Sequence, residues 1–147
     1  MFMEINLKPV GYVKNAVTEP KSEDWQSITS QIVVNEGLKE ALIGIDEFSH
    51  IIVIYWMHQT PASERSVMKV HPQRNQNLPI IGVFATRSPA RPNPIGIATV
   101  KLLECRGNIL KVVGLDAIDG TPVLDIKPHI PGSDSPSLAR IPGWVTK

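Results

Sequence analysis

Apolar positions in this chain come in short runs separated by polar, glycine- and proline-rich breaks, and the runs have the length of strands rather than helices. Val10 to Val13 predicts an early strand, and Gln31 to Val34 a second with β-branched content. Glu36 to Ile43 reads as a short amphipathic helix: Leu38, Ala41 and Leu42 stand at i, i+3 and i+4, Asn35 suits the N-cap and Gly44 the stop. The pattern supports no other helix. His50 to Met57 is an unbroken apolar, β-branched and aromatic run, which predicts a central strand buried on both faces. From His58 to Leu78 the chain is polar and proline-interrupted, a long loop with one short strand at Val67 to Val70. Strand character returns at Ile80 to Ala85, breaks across Thr86 to Pro94, and resumes from Ile95 to Cys105. Arg106-Gly107-Asn108 then separates that strand from Ile109 to Leu115 at hairpin spacing, and the Asp119-Gly120 turn leads into Pro122 to Ile126. The proline- and glycine-containing tail after Pro128 predicts an extended arm.

Successive strands joined by short turns, with little helix to cover a sheet, predict a mainly β fold. The expected architecture is a single-domain antiparallel β-barrel over residues 1–147, with one short helix and long loops; 147 residues suffice for one core and fall short of two ordinary ones. The longest strongly apolar run, Ile51 to Met57, is too short to cross a bilayer. The start, Met1-Phe2-Met3-Glu4, lacks the basic-then-apolar pattern of a secretory signal, so cytoplasmic residence is expected. One cysteine, Cys105, excludes an internal disulfide and a thiolate metal cluster, and it reads as a small apolar strand residue. His50, His58, His71 and His129 show no recognised ligand spacing, so no metal is expected.

The net charge of +1 hides an uneven distribution. Residues 65–103 carry Arg65, Lys69, Arg74, Arg87, Arg91 and Lys101 and no carboxylate, a footprint suited either to an anionic partner such as RNA or to a solvated loop surface. Within that stretch, Arg87 to Pro94 holds three prolines that fix φ repeatedly and two arginines whose planar forks match carboxylate or phosphate. The alternative is a stiff crossover whose arginines face water. His58-Gln59 follows the buried strand and could hydrogen-bond a base or an amino acid, or merely cap the strand end. Asp116, Asp119 and Asp125 cluster about the Asp-Gly turn, where a carboxylate can accept ribose hydroxyls or a proton, or simply shape the turn. Asp125 and Lys127, two apart on one strand, suggest an ion pair. The chain has no G-x-G-x-x-G, Walker-type, G-x-S-x-G or H-E-x-x-H motif, which closes the usual dinucleotide, nucleotide and hydrolase readings.

Several segments together resemble the TsaA-like family of TrmO-type tRNA methyltransferases. They are Pro9-Val10-Gly11-Tyr12-Val13, Gly44 to His50, His58-Gln59, Gly82 to Pro89, Arg91 to Gly96 and Asp119 to Pro128. The resemblance implies a β-barrel methyltransferase that uses S-adenosyl-L-methionine, works as a homodimer, and methylates the exocyclic nitrogen of threonylcarbamoyl-adenosine beside the tRNA anticodon. By position it implies a cofactor site of His58, Gln59, Arg87, Ile97, Ile118, Asp119, Gly120 and Thr121. The chemistry of the residues also singles out most of these, but Ile97 and Ile118 read as ordinary core. Arg91 and Asn93 are candidates for RNA contact. Where family members carry a Pro-Arg-Gln element that touches the cofactor, this chain has Glu19 to Trp25, and with the sequence running to Lys147 the additional C-terminal domain of the bacterial form is not expected. Two competing readings are a non-catalytic S-adenosylmethionine-binding sensor or adaptor, and a plain β-barrel interaction module.

Overall fold

Six strands close on themselves in the order β1-β2-β7-β6-β3-β8, every neighbouring pair antiparallel. They are β1 (Gly11–Lys14), β2 (Thr29–Val34), β3 (His50–Trp56), β6 (Ile95–Arg106), β7 (Ile109–Val113) and β8 (Pro122–Pro128). The computed structural model describes residues 2–20 and 24–145, and the chain divides into two compact units. The first, Met1–His58 with Ile95–His129, is the barrel. The second, Gln59–Pro94 with Ile130–Lys147, contains a two-stranded ribbon of β4 (Lys69–Val70) and β5 (Ile81–Gly82) among short helical turns.

The barrel follows from period-two alternation. Val13, Ile32, Ile51, Val53, Leu110 and Val112 point inward and are fully buried, while their chain neighbours face out. Each such aliphatic side chain contributes about 1.5–3 kcal/mol through removal from water. Small residues make room for a large one: Gly96 stands opposite Tyr55 across β3 and β6, and a Cβ there would lie 2.9 Å from the tyrosine hydroxyl and closer still to its ring. β6 is paired with β3 along its first half and with β7 along its second, with the register shifting between Leu102 and Glu104. Gly107, at φ +62, closes the expected hairpin.

Several local expectations need correction. Residues Glu36–Leu42 are helical and capped by the Asn35 side chain, which accepts from the Gly37 N–H at 3.1 Å, but the helix is of the 3-10 type. With three residues per turn, Leu38 and Ala41 align on one edge while Leu42 falls on another, so only Leu42 is buried. β3 is buried on one face only, because a barrel strand shows alternate residues to the interior; Ile52, Ile54 and Trp56 are half-buried. The expected strand from Ile80 to Ala85 stops at Gly82 and becomes a 3-10 turn, Val83–Ala85, and the expected strand at Val67 to Val70 narrows to Lys69–Val70. The tail is not simply extended: Pro131–Asp134 forms one helical turn, with the Asp134 carboxylate accepting from the Ile130 N–H at 2.8 Å. Ile97, read as core, points out of the barrel at 48% exposure, whereas Ile118 is buried as expected.

Candidate functional site

In the barrel unit, the turn Ile118–Thr121 is held from both sides. Thr121, itself 2% exposed, donates its hydroxyl to the Ile118 carbonyl at 2.7 Å, and Gly120 takes φ +82. Nothing lies within 4 Å of where a Cβ on Gly120 would stand, so the turn presents open backbone. Asn15, which sequence reasoning did not single out, ties the turn to the start of the barrel. Its backbone N–H donates to Asp119 Oδ1 at 3.0 Å, and its amide donates to the Ala117 carbonyl at 2.8 Å and to the buried Ser30 hydroxyl at 3.0 Å. Its Oδ1 accepts from the Val17 N–H at 2.9 Å, while the Asp119 and Gly120 N–H groups donate to the Val17 and Val13 carbonyls, each at 2.7 Å. One carboxylate oxygen of Asp119 is thereby committed, and the other, on an exposed side chain, has no hydrogen-bond partner among the described residues.

Just before this turn, the Asp116 carbonyl accepts from the Tyr55 hydroxyl at 2.7 Å. Partial desolvation raises the Asp116 carboxyl above the ordinary carboxylate value. Since the folded state favours the protonated form, this group's stabilising contribution is present at low pH and lost as pH rises through its folded pKa. Asp116→Asn should therefore raise the unfolding midpoint at neutral pH, with the gain vanishing below the carboxylate range; thermal melts across pH 3–8 read the effect. Asp125 forms its expected ion pair with Lys127 at 2.9 Å, on the surface, where such a pair adds little. Cys105 packs against the core, and its thiol is pushed up, mainly by burial and then by Asp46.

His58 follows β3 in an exposed turn at the end of the barrel unit. Gln59 opens the second unit, also exposed, and that unit contains the proline loop. The two arginines of this loop have different roles. Arg91 folds back, its Nη1 donating to the Thr86 and Ser88 carbonyls, each at 3.1 Å, with its guanidinium 6.0 Å from the Phe84 ring. Arg65 donates through Nε to the Pro92 carbonyl at 2.7 Å and through Nη2 to Asn93 Oδ1 at 3.1 Å. Arg91 and Asn93, the RNA-contact candidates, thus brace the loop, with donors to spare. Arg87 is exposed, and among the described residues it has no hydrogen-bond or ion-pair partner. Of the segment that departs from the family pattern, Glu19, Pro20 and Asp24 are exposed and Trp25 is buried, whereas 21–23 lie outside the described residues.

The sequence profile described as the tRNA-methyltransferase O N-terminal domain matches residues 12–135. The chain belongs to that family. Its fold is that of TrmO from Pseudomonas aeruginosa, whose crystal structure matches with a TM-score of 0.74 at 32% identity, over 94% of this chain and 62% of that one. A relative from Methanothermobacter thermautotrophicus, named "Probable S-adenosyl-L-methionine-binding protein", is 45% identical over 137 residues, covering 90% of this chain and 96% of its own. The mouse tRNA (adenine(37)-N6)-methyltransferase is 45% identical over 98 residues, which is 67% of this chain and 22% of the mouse protein. Within the described residues, no helix is long and apolar enough to cross a membrane, and no group of three or more His, Cys, Asp or Glu could hold a metal ion.

Proposed function

We propose that this member of the tRNA-methyltransferase O family is an S-adenosyl-L-methionine-dependent methyltransferase acting on the exocyclic nitrogen of threonylcarbamoyl-adenosine beside the tRNA anticodon, as a cytoplasmic homodimer. The family match across residues 12–135 carries the reading. Taken one by one, the proposed residues have chemistry suited to parts of the cofactor. Arg87 offers an unengaged fork for the methionyl carboxylate, Asp119 keeps one oxygen for ribose hydroxyls, and Gly120 leaves open space beside the turn. His58 and Gln59 add exposed hydrogen-bonding groups, and the apolar Ile97 and Ile118 complete the proposed set.

Bound S-adenosylmethionine supplies an electrophilic methyl on a sulfonium, so the protein needs no covalent nucleophile. The residues' task is to bind, align and desolvate the two reactants. The acceptor nitrogen must shed a proton, and its carbamoyl substituent eases that loss without a strong base.

Transfer of radiolabelled methyl to tRNA with and without threonylcarbamoyl-adenosine tests the reading: label should enter only the modified tRNA. A second reading, a non-catalytic S-adenosylmethionine-binding adaptor, draws on the binding-protein name of the similarly sized archaeal relative. Calorimetric binding of the cofactor with no methyl transfer would select it. No binding at all would leave a plain interaction module.

A further inference from the structure

Strand register brings together on the outer barrel wall residues that are far apart in sequence. Val13, Ile32 and Leu110 are inward and fully buried, so the rows on either side of them face out. One row runs Pro122, Tyr12, Val33, Ile109, Arg106 across β8, β1, β2, β7 and β6. The next runs Lys14, Gln31, Lys111, Glu104. Tyr12 is 49% exposed and lines an open groove of about 510 Å³ with Pro122, Val33, Asn35, Glu36 and Gly120. Arg106 is neutralised by Glu104 at 2.6 Å, whereas Lys14 and Lys111 have no ion-pair partner among the described residues.

The geometry points to this wall, the outer face of β1, β2 and β7, as the docking surface for a single-stranded segment of the substrate RNA, with a base stacked on Tyr12 and phosphates against Lys14 and Lys111. The inference rests on the proposed RNA substrate and says where that RNA lies. An exposed aromatic ring on a strand, flanked on the same face by free cations, meets both needs of single-stranded RNA: a π-face for the base and positive charge for the backbone. An acidic peptide would use the lysines but leave the ring without a planar partner. For RNA the Glu36 carboxylate is an acceptor for base amino groups. Gly120 belongs both to this groove and to the turn assigned to the cofactor, so RNA lying here is next to that turn.

Fluorescence anisotropy with the full chain and an anticodon stem-loop RNA carrying threonylcarbamoyl-adenosine tests the surface. Tyr12→Ala should weaken binding roughly five- to a hundred-fold, while Tyr12→Phe, which keeps a stacking ring, stays close to wild type. Lys14→Ala with Lys111→Ala should lower the slope of log affinity against log salt by about 1.4, at about 0.7 per phosphate contact on single strands. S-adenosylmethionine binding by calorimetry should be retained in all of these variants. Wild-type RNA affinity and salt slope in both Tyr12→Ala and the double lysine variant would overturn the assignment while leaving the RNA reading intact. So would dissociation of an oligomer in Tyr12→Ala, because the wall would then be a subunit contact. If the wild-type chain binds the cofactor but not the stem-loop, the RNA reading itself fails, and this surface with it.

Discussion

Asn15→Ala should destabilise the barrel by about 2–4 kcal/mol and loosen the Ile118–Thr121 turn, a large effect for one substitution in a loop. The side chain of Asn15 donates to Ala117 and Ser30 and accepts from Val17. Truncation leaves that carbonyl, a hydroxyl 1% exposed and that N–H without their partner, and each buried polar group so abandoned costs about 1–3 kcal/mol. Urea unfolding of the variant checks the first part of the expectation. The second part appears in calorimetry at a temperature where the variant is still folded: S-adenosylmethionine affinity should fall because the turn carrying Asp119 and Gly120 has lost its tether. Asn15→Ser restores the acceptor for Val17 but not the two donors, so it should recover only part of the stability. A variant as stable as wild type would mean that water replaces these contacts at no cost.

Arg87→Ala is the second large expectation, and it separates binding from folding. The Arg87 side chain is exposed and has no hydrogen-bond or ion-pair partner among the described residues, so the unfolding midpoint should stay within a degree or two of wild type. If its fork holds the carboxylate of the cofactor, the lost charge-assisted hydrogen bonds, about 1.5–3 kcal/mol, weaken S-adenosylmethionine binding roughly ten- to a hundred-fold. Arg87→Lys should recover only part, because an ammonium cannot reproduce a two-pronged contact. Normal cofactor affinity in Arg87→Ala would remove this residue from the site. Arg91→Ala should behave in the opposite way, lowering stability through its lost bonds to the Thr86 and Ser88 carbonyls.

The contrast between these two arginines marks where the sequence stops being legible. Both lie in the same proline-rich octet, and nothing local distinguishes the one that folds back from the one that faces out. Strand positions were readable because alternation and turn chemistry are local: the hairpin at Gly107 and the Asp119-Gly120 bend are where short-range rules put them. Asn15 was not, because its partners Asp119 and Ala117 are 104 and 102 residues away; only its bond to the Val17 N–H, two residues on, leaves a local trace. Ile97 was misread because hydrophobicity alone puts an isoleucine inside and a glycine or alanine outside. Here the ring of Tyr55 fills the interior opposite Gly96, which reverses the phase, and the large residues of the first half of β6 turn outward. The helix at Glu36–Leu42 was located correctly but wound too loosely in expectation, since apolar spacings of three and four do not separate the two helix types over two turns.

Barrel closure also sets an order of events during synthesis. The last strand, β8, bonds to β1 on one side and to β3 on the other, joining residues near position 11 to residues near position 123. Until that segment leaves the ribosome, two strand edges stand unpaired and the interior is open to water, so the nascent chain passes through an aggregation-prone stage with the five other barrel strands already made.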